Sequence, residues 1–153
     1  MTVSVYSSGT IPGLFACSPG WIIFPDSNLK VAVRKTIGKP EGLIISSDLE
    51  GFTSLLATEG EVMDITGLEH WTDLVNLNLY DNQINDISPL ASLANLIYLN
   101  LALNEISNIS PLTSLTNLKW LGLFKNPLSN TSVDIIRQLQ ERGVKVVGVD
   151  VSR

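Results

Sequence analysis

The side chains best suited to nucleophilic, acid–base or metal chemistry at neutral pH are the single histidine, His70, and the single cysteine, Cys17. Neither has a partner at working spacing. His70 follows Glu69 with no second ligand at metal-binding distance in the sequence, so it reads as an exposed loop residue. Cys17 has no imidazole near it to draw off its proton. Asp81, Asn82 and Asp86 offer oxygens in the manner of a calcium loop, but the glycine that such a loop needs is missing. The reading is therefore no enzyme, no metal and no cofactor. One cysteine also excludes an internal disulfide.

Recognition chemistry is better represented. Tyr80, Tyr98, Trp120 and Phe124 recur beside leucines of constant spacing, and the elements that must position them follow from that spacing. Leu74, Leu77, Leu79, Asn82, Ile84, Ile87, Leu90 and Leu93 return 22 residues later as Leu96, Leu99, Leu101, Asn104, Ile106, Ile109, Leu112 and Leu115. A third copy starts as Leu118, Leu121, Leu123 and Asn126, and a worn one precedes them as Phe52, Leu55, Ala57, Gly60, Val62, Ile65, Leu68 and Trp71. This is a leucine-rich repeat. The L-x-L alternation makes a short strand with its leucines inward, predicted at about 54–58, 76–80, 98–102 and 120–124, all parallel. Asn82, Asn104 and Asn126 end the strands and form a buried ladder, their amides satisfying backbone groups left unpaired by a tight turn. Ile-Ser-Pro-Leu makes the return on the opposite side, and Gly60 stands where the first repeat lacks its Asn. One coil cannot bury enough to fold alone, so neighbouring coils and end caps must complete it.

The chain then divides into an N-terminal segment and helical cap, 1–51, the repeats, 52–128, and a C-terminal cap, 129–153, all in one domain. Residues 1–25 carry no charge. Leu14-Phe15-Ala16-Cys17 resembles a lipoprotein processing site in outline, but no Lys or Arg precedes it and Gly9, Pro12 and Gly13 interrupt an apolar helix. Trp21, Ile22, Ile23 and Phe24 read instead as a cover for the open end of the core. Asp26-Ser27 caps a helix with Leu29, Ala32, Val33, Thr36 and Ile37 on one face, stopped by Gly38 and Pro40. Ser47-Asp48-Leu49-Glu50 has the form of a capping box. After Asn126-Pro127, Ser129 to Ser132 open a helix whose inner face is Val133, Ile136, Leu139 and Gln140, and Val144 to Val149 reads as a closing strand.

Phe24-Pro25-Asp26-Ser27-Asn28-Leu29, Val33-Arg34, Ile37-Gly38, Ser46-Ser47-Asp48-Leu49 and the N-x-I-x-D-I-S-P-L repeat resemble the bacterial internalin-like leucine-rich repeat proteins over about 24–147. The resemblance implies an α/β fold: a right-handed solenoid with a parallel sheet on its concave face, a helical N-terminal cap and a helix–strand C-terminal cap. It also implies a protein, secreted or displayed on the cell surface, that binds other proteins through its concave strands.

The outward strand positions carry the candidate site. They run in rows: Ser54, Asn76, Tyr98 and Trp120; Leu56, Asn78, Asn100 and Gly122; Thr58, Tyr80, Ala102 and Phe124; Glu59, Asp81, Leu103 and Lys125. Tyr80, Tyr98, Trp120 and Phe124 would stand in solvent, with Ala102 and Gly122 leaving a shallow pocket between them and Asn78, Asn100 and Lys125 around it. Of the net charge of −5, the repeats hold eight acidic residues against Lys119 and Lys125, which argues against nucleic acid and anionic membranes as ligands. No apolar run is long enough to span a membrane. The expected partner is a protein or peptide, or a second copy of the chain. Alternatives are a structural unit of a larger assembly and weak carbohydrate binding by the aromatics with Asn76, Asn78 and Asn100.

Overall fold

The computed structural model describes residues 20–149. Cys17 and the lipoprotein-like stretch lie outside them. The 22-residue coils form a stack. Strands β3 (Ser54–Leu56), β4 (Asn76–Asn78), β5 (Tyr98–Asn100) and β6 (Trp120–Gly122) pair in parallel, with Leu55, Leu77, Leu99 and Leu121 in line. Before them come β1 (Trp21–Ile22), α1 (Ser27–Ile37), β2 (Ile44–Ile45) and α2 (Ser46–Leu49); after them come α3 (Thr131–Glu141) and β7 (Lys145–Val147). β7 extends the sheet as a fifth parallel strand, Val146 beside Leu121, so the sheet order is β3-β4-β5-β6-β7. The strands are three residues long rather than the five expected. Backbone bonds nevertheless continue past them, Glu59 N–H to the Tyr80 carbonyl and Asp81 N–H to that of Ala102, both at 3.0 Å.

The strands stop where the chain bends. Glu59, Asp81, Leu103 and Lys125 all take left-handed backbone angles, φ between 53° and 58°. The asparagine that follows holds the bend. Asn104 donates to the carbonyls of Leu79 and Leu101 at 2.9 and 3.1 Å and accepts from Ile84 N–H at 3.0 Å. Asn82 repeats this one coil earlier, accepting also from Gly60 N–H at 3.1 Å, so the missing asparagine of the first repeat needs no replacement. Asn126 makes the same bonds. It is half-buried rather than buried, because a cap and not another coil follows it.

Returns run through one-turn 3-10 helices at Leu68–His70, Ser88–Ser92 and Ser110–Ser114, with Pro89 and Pro111 near the start of the last two. Between sheet and returns, one apolar cluster extends from Ile22 to Val144 and contains every repeat leucine and isoleucine named above. Phe52 departs from the expected inward set. At 38% exposure it stands where the chain enters the first coil, with no earlier coil to close over it. Trp71, at the far side of that coil, is buried and donates its indole N–H to the Phe52 carbonyl at 2.7 Å.

Asp26 caps α1 as its position predicts, accepting from the N–H groups of Asn28 and Leu29 at 2.9 Å. Its other oxygen accepts from Met63 and Asp64 N–H at 2.9 and 3.3 Å, fastening the cap helix to the first coil. Partial burial raises its carboxyl pKa, but the four N–H groups outweigh this and the net shift is downward. Gly38 closes α1 in the left-handed conformation. α2 begins two residues earlier than a cap at Ser47 would have it. Asp48 reaches back to Ile45 N–H at 2.9 Å, and Lys39, bonded to it at 2.6 Å, holds its pKa down. β1 pairs antiparallel with β2. Ile22 and Phe24 cover the core as expected, but strand alternation turns Trp21 and Ile23 outward. In α3, Ile136 and Leu139 face the core while Gln140 is exposed. No side chain caps its first turn; Ser132 is buried and donates to the Ser107 carbonyl at 3.0 Å.

Candidate functional site

β3 to β7 fix the outward residues in register. Ser54, Asn76, Tyr98, Trp120 and Lys145 form one row, and Leu56, Asn78, Asn100, Gly122 and Val147 the next. Tyr98 and Trp120, neighbours across β5 and β6, stack with ring centroids 4.4 Å apart and planes 11° from parallel. Phe124 is half exposed, with Lys125 Nζ 5.4 Å from its ring centroid, an arrangement that favours the ammonium over the ring face. Tyr80 lies on the same side, two residues beyond Asn78.

Two expectations for this face need correction. The aromatics do not all stand in solvent: Tyr80, Tyr98 and Trp120 are half-buried, and stacking covers one face of the Tyr98 and Trp120 rings. Nor do Ala102 and Gly122 leave a pocket. Both are buried, and Trp120 lies across Gly122 so closely that a Cβ there would meet its Cη2 at 2.8 Å. The indole occupies the space the missing side chain leaves. The open groove lies instead at the start of the sheet, 390 Å³ lined by Ser54, Leu56, Asn76, Asn78 and Tyr98. Leu56, 65% exposed, is its apolar floor.

The two central carboxamides have a defined polarity. Asn78 Oδ1 accepts from Tyr80 N–H at 3.1 Å and Asn100 Oδ1 from Ala102 N–H at 3.2 Å. A backbone N–H can only donate, so the oxygens must face it and the amide NH₂ groups are left as donors.

Elsewhere the chemistry-bearing residues do not assemble. His70 is exposed, 3.6 Å from Glu69. Asp86 Oδ1 accepts from Ser88 N–H at 2.8 Å and so serves its own turn. Among the described residues no cluster of three or more His, Cys, Asp or Glu could hold a metal ion, and no helix is long and apolar enough to cross a membrane.

Among solved structures, the chain is similar to an internalin, InlF, from Listeria monocytogenes, at 38% identity and a TM-score of 0.71 over 77% of this chain and 36% of that one. The chain's capped leucine-rich repeats are internalin-like. The functional domain of InlJ from the same organism, which includes a cysteine ladder, matches at 28% identity and a TM-score of 0.70, covering 81% of this chain and 26% of that one. Clostridium perfringens ZmpB, in a structure of its CBM51-2 and INT domains with GlcNAc, matches at 33% identity and a TM-score of 0.51 over 57% of this chain and 19% of that one. The chain thus spans well under half the length of each of these structures. No protein-family model and no curated protein matches it.

The internalin-like repeats also carry a polar seam on their return side that the strand pattern did not announce. Ser92 and Ser114 donate to the carbonyls of Glu69 and Ala91, one coil back, at 3.1 and 2.7 Å. Asn95 and Asn117 do the same to Thr72 and Ala94, both at 2.9 Å. Arg142 ends the seam by donating to the carbonyls of Thr113 and Leu115. The signal was present as a second 22-residue recurrence of Ser and Asn.

Proposed function

We propose that the concave strand face is a protein- or peptide-binding surface, without catalysis, and that the stacked Tyr98 and Trp120 are its anchors. The stack carries the reading: two large rings, fixed in one orientation by the sheet, present apolar area at little further entropy loss on binding. Phe124, Tyr80 and Lys125 border them, Asn78 and Asn100 supply donors, and Ala102 and Gly122 are the small residues beneath. The setting implied by the family resemblance, secreted or displayed on the cell surface, is part of this proposal. The two matched Listeria structures support the repeat architecture of such a module.

Trp120→Ala tests the reading. Trp120 contributes little to the core, so the variant should keep its circular dichroism and lose ~2 kcal/mol or more of affinity for a bound peptide or protein. Unchanged affinity in a folded variant would move the site off this face.

A further inference from the structure

The exposed charges bordering the strand face are sorted by sign along the repeat axis. After the first two strands stand Glu59 and Asp81, both exposed. With Glu61 they line a hollow of 210 Å³. After the fourth strand the same position is Lys125, and beside Trp120 on β7 is Lys145, both exposed. None of these four groups has an ion-pair partner among the described residues. At ~4.8 Å per strand, Glu59 and Lys125 are roughly 14 Å apart along the axis, and Lys145 lies one strand further. The outward strand positions between them are uncharged: Asn78, Asn100, Tyr98 and Trp120.

We infer that the face takes an extended peptide lying across the strands, its cationic end over Glu59 and Asp81 and its anionic end at Lys125 and Lys145. An aromatic or apolar residue at its centre meets Tyr98 and Trp120. The inference rests on the peptide-binding reading above and adds the ligand's charge order and direction. Size favours a peptide over a second copy of the chain. Five three-residue strands of ~10 Å give roughly 240 Å² in plan, whereas a stable interface takes ~800 Å² from each partner. Four strand spacings, ~19 Å, are crossed by about six extended residues. The Asn78 and Asn100 NH₂ groups are left to meet main-chain carbonyls, which are acceptors.

The test is selection of linear twelve-residue peptides from a random phage-displayed library on the wild-type chain at low ionic strength, where exposed charges are least screened. Selected peptides are then titrated against Trp120→Ala, against the double variant Glu59→Lys with Asp81→Lys, and against Arg137→Glu as a control on α3. The expected peptides carry Lys or Arg at one end and Asp or Glu at the other. They should lose affinity for Trp120→Ala, lose about fivefold for the double variant and keep it for the control. Peptides that need Trp120 but mix their charges, or ignore the double variant, overturn this inference and leave the binding face standing. A failure to select any Trp120-dependent peptide overturns both, whereas a dimer in sedimentation equilibrium that Trp120→Ala dissociates overturns the peptide inference and leaves the binding face standing.

Discussion

Trp120 lies across Gly122, its Cη2 2.8 Å from where a Cβ on residue 122 would stand, and the same Cβ would come within 2.7 Å of Asn100 Oδ1. Both contacts are with movable side-chain ends. Gly122 therefore acts less as a backbone hinge than as a vacancy that sets the pose of the anchor and of its neighbouring donor.

Gly122→Ala should displace the indole and loosen its stack on Tyr98 while leaving the sheet intact. The stability loss should be ~1 kcal/mol, within the range of mild overpacking. Near-ultraviolet circular dichroism, which reports ring coupling, should weaken more than far-ultraviolet circular dichroism. An unchanged near-ultraviolet spectrum would show that the space at residue 122 does not position Trp120.

Leu99 sits in the middle coil with no exposed surface. Leu99→Ala should cost ~2–5 kcal/mol through the cavity it leaves. Denaturant melts should show one transition, since each coil leans on its neighbours. A loss under ~1 kcal/mol would remove Leu99 from the core.

The asparagine ladder should be graded by position. Asn104→Ala strands Ile84 N–H and two carbonyls where water cannot reach, for a loss of about 3 kcal/mol. Asn126→Ala removes the same kind of bonds at a half-buried site, and the loss should be smaller by ~1 kcal/mol or more. Equal losses in urea melts would mean that burial does not set the ladder's energetics.

Asp26 links stability to pH. Its folded pKa is below the ordinary carboxyl value, so its contribution is complete above the unfolded pKa of ~3.9 and is lost as pH falls through the folded value. Asp26→Ala should cost ~1–2 kcal/mol at pH 7, as N-cap losses do, and the gap to wild type should narrow as pH falls below about 4. A gap that stays constant with pH would show that the ionised carboxylate is not what the four N–H groups hold.

Much of this fold was legible because its signal is periodic. The leucines at 77, 99 and 121 gave strand, register and parallel direction at once, since a 22-residue coil admits no other pairing of equal positions. Asp26 and Gly38 announced α1 through local capping chemistry. The face itself was harder to read. Alternation says that Trp120 and Tyr98 point outward, but not that one ring covers the other, and it made Gly122 look like an empty place. The left-handed bends at Asp81, Leu103 and Lys125 carry no residue signature, because tertiary bonding and not glycine imposes them. Arg142 escaped notice for a related reason: its carbonyl partners at Thr113 and Leu115 are far from it in sequence.

The location of the binding face is tested most directly by amide chemical-shift mapping of the whole chain during titration with a selected peptide. The predicted result is a continuous set of perturbed amides on β4, β5 and β6 and in the bends after them, centred on Tyr98, Asn100, Trp120 and Gly122. Perturbations confined to the return turns at Ser88–Ser92 and Ser110–Ser114, with the strand amides unmoved, would contradict it.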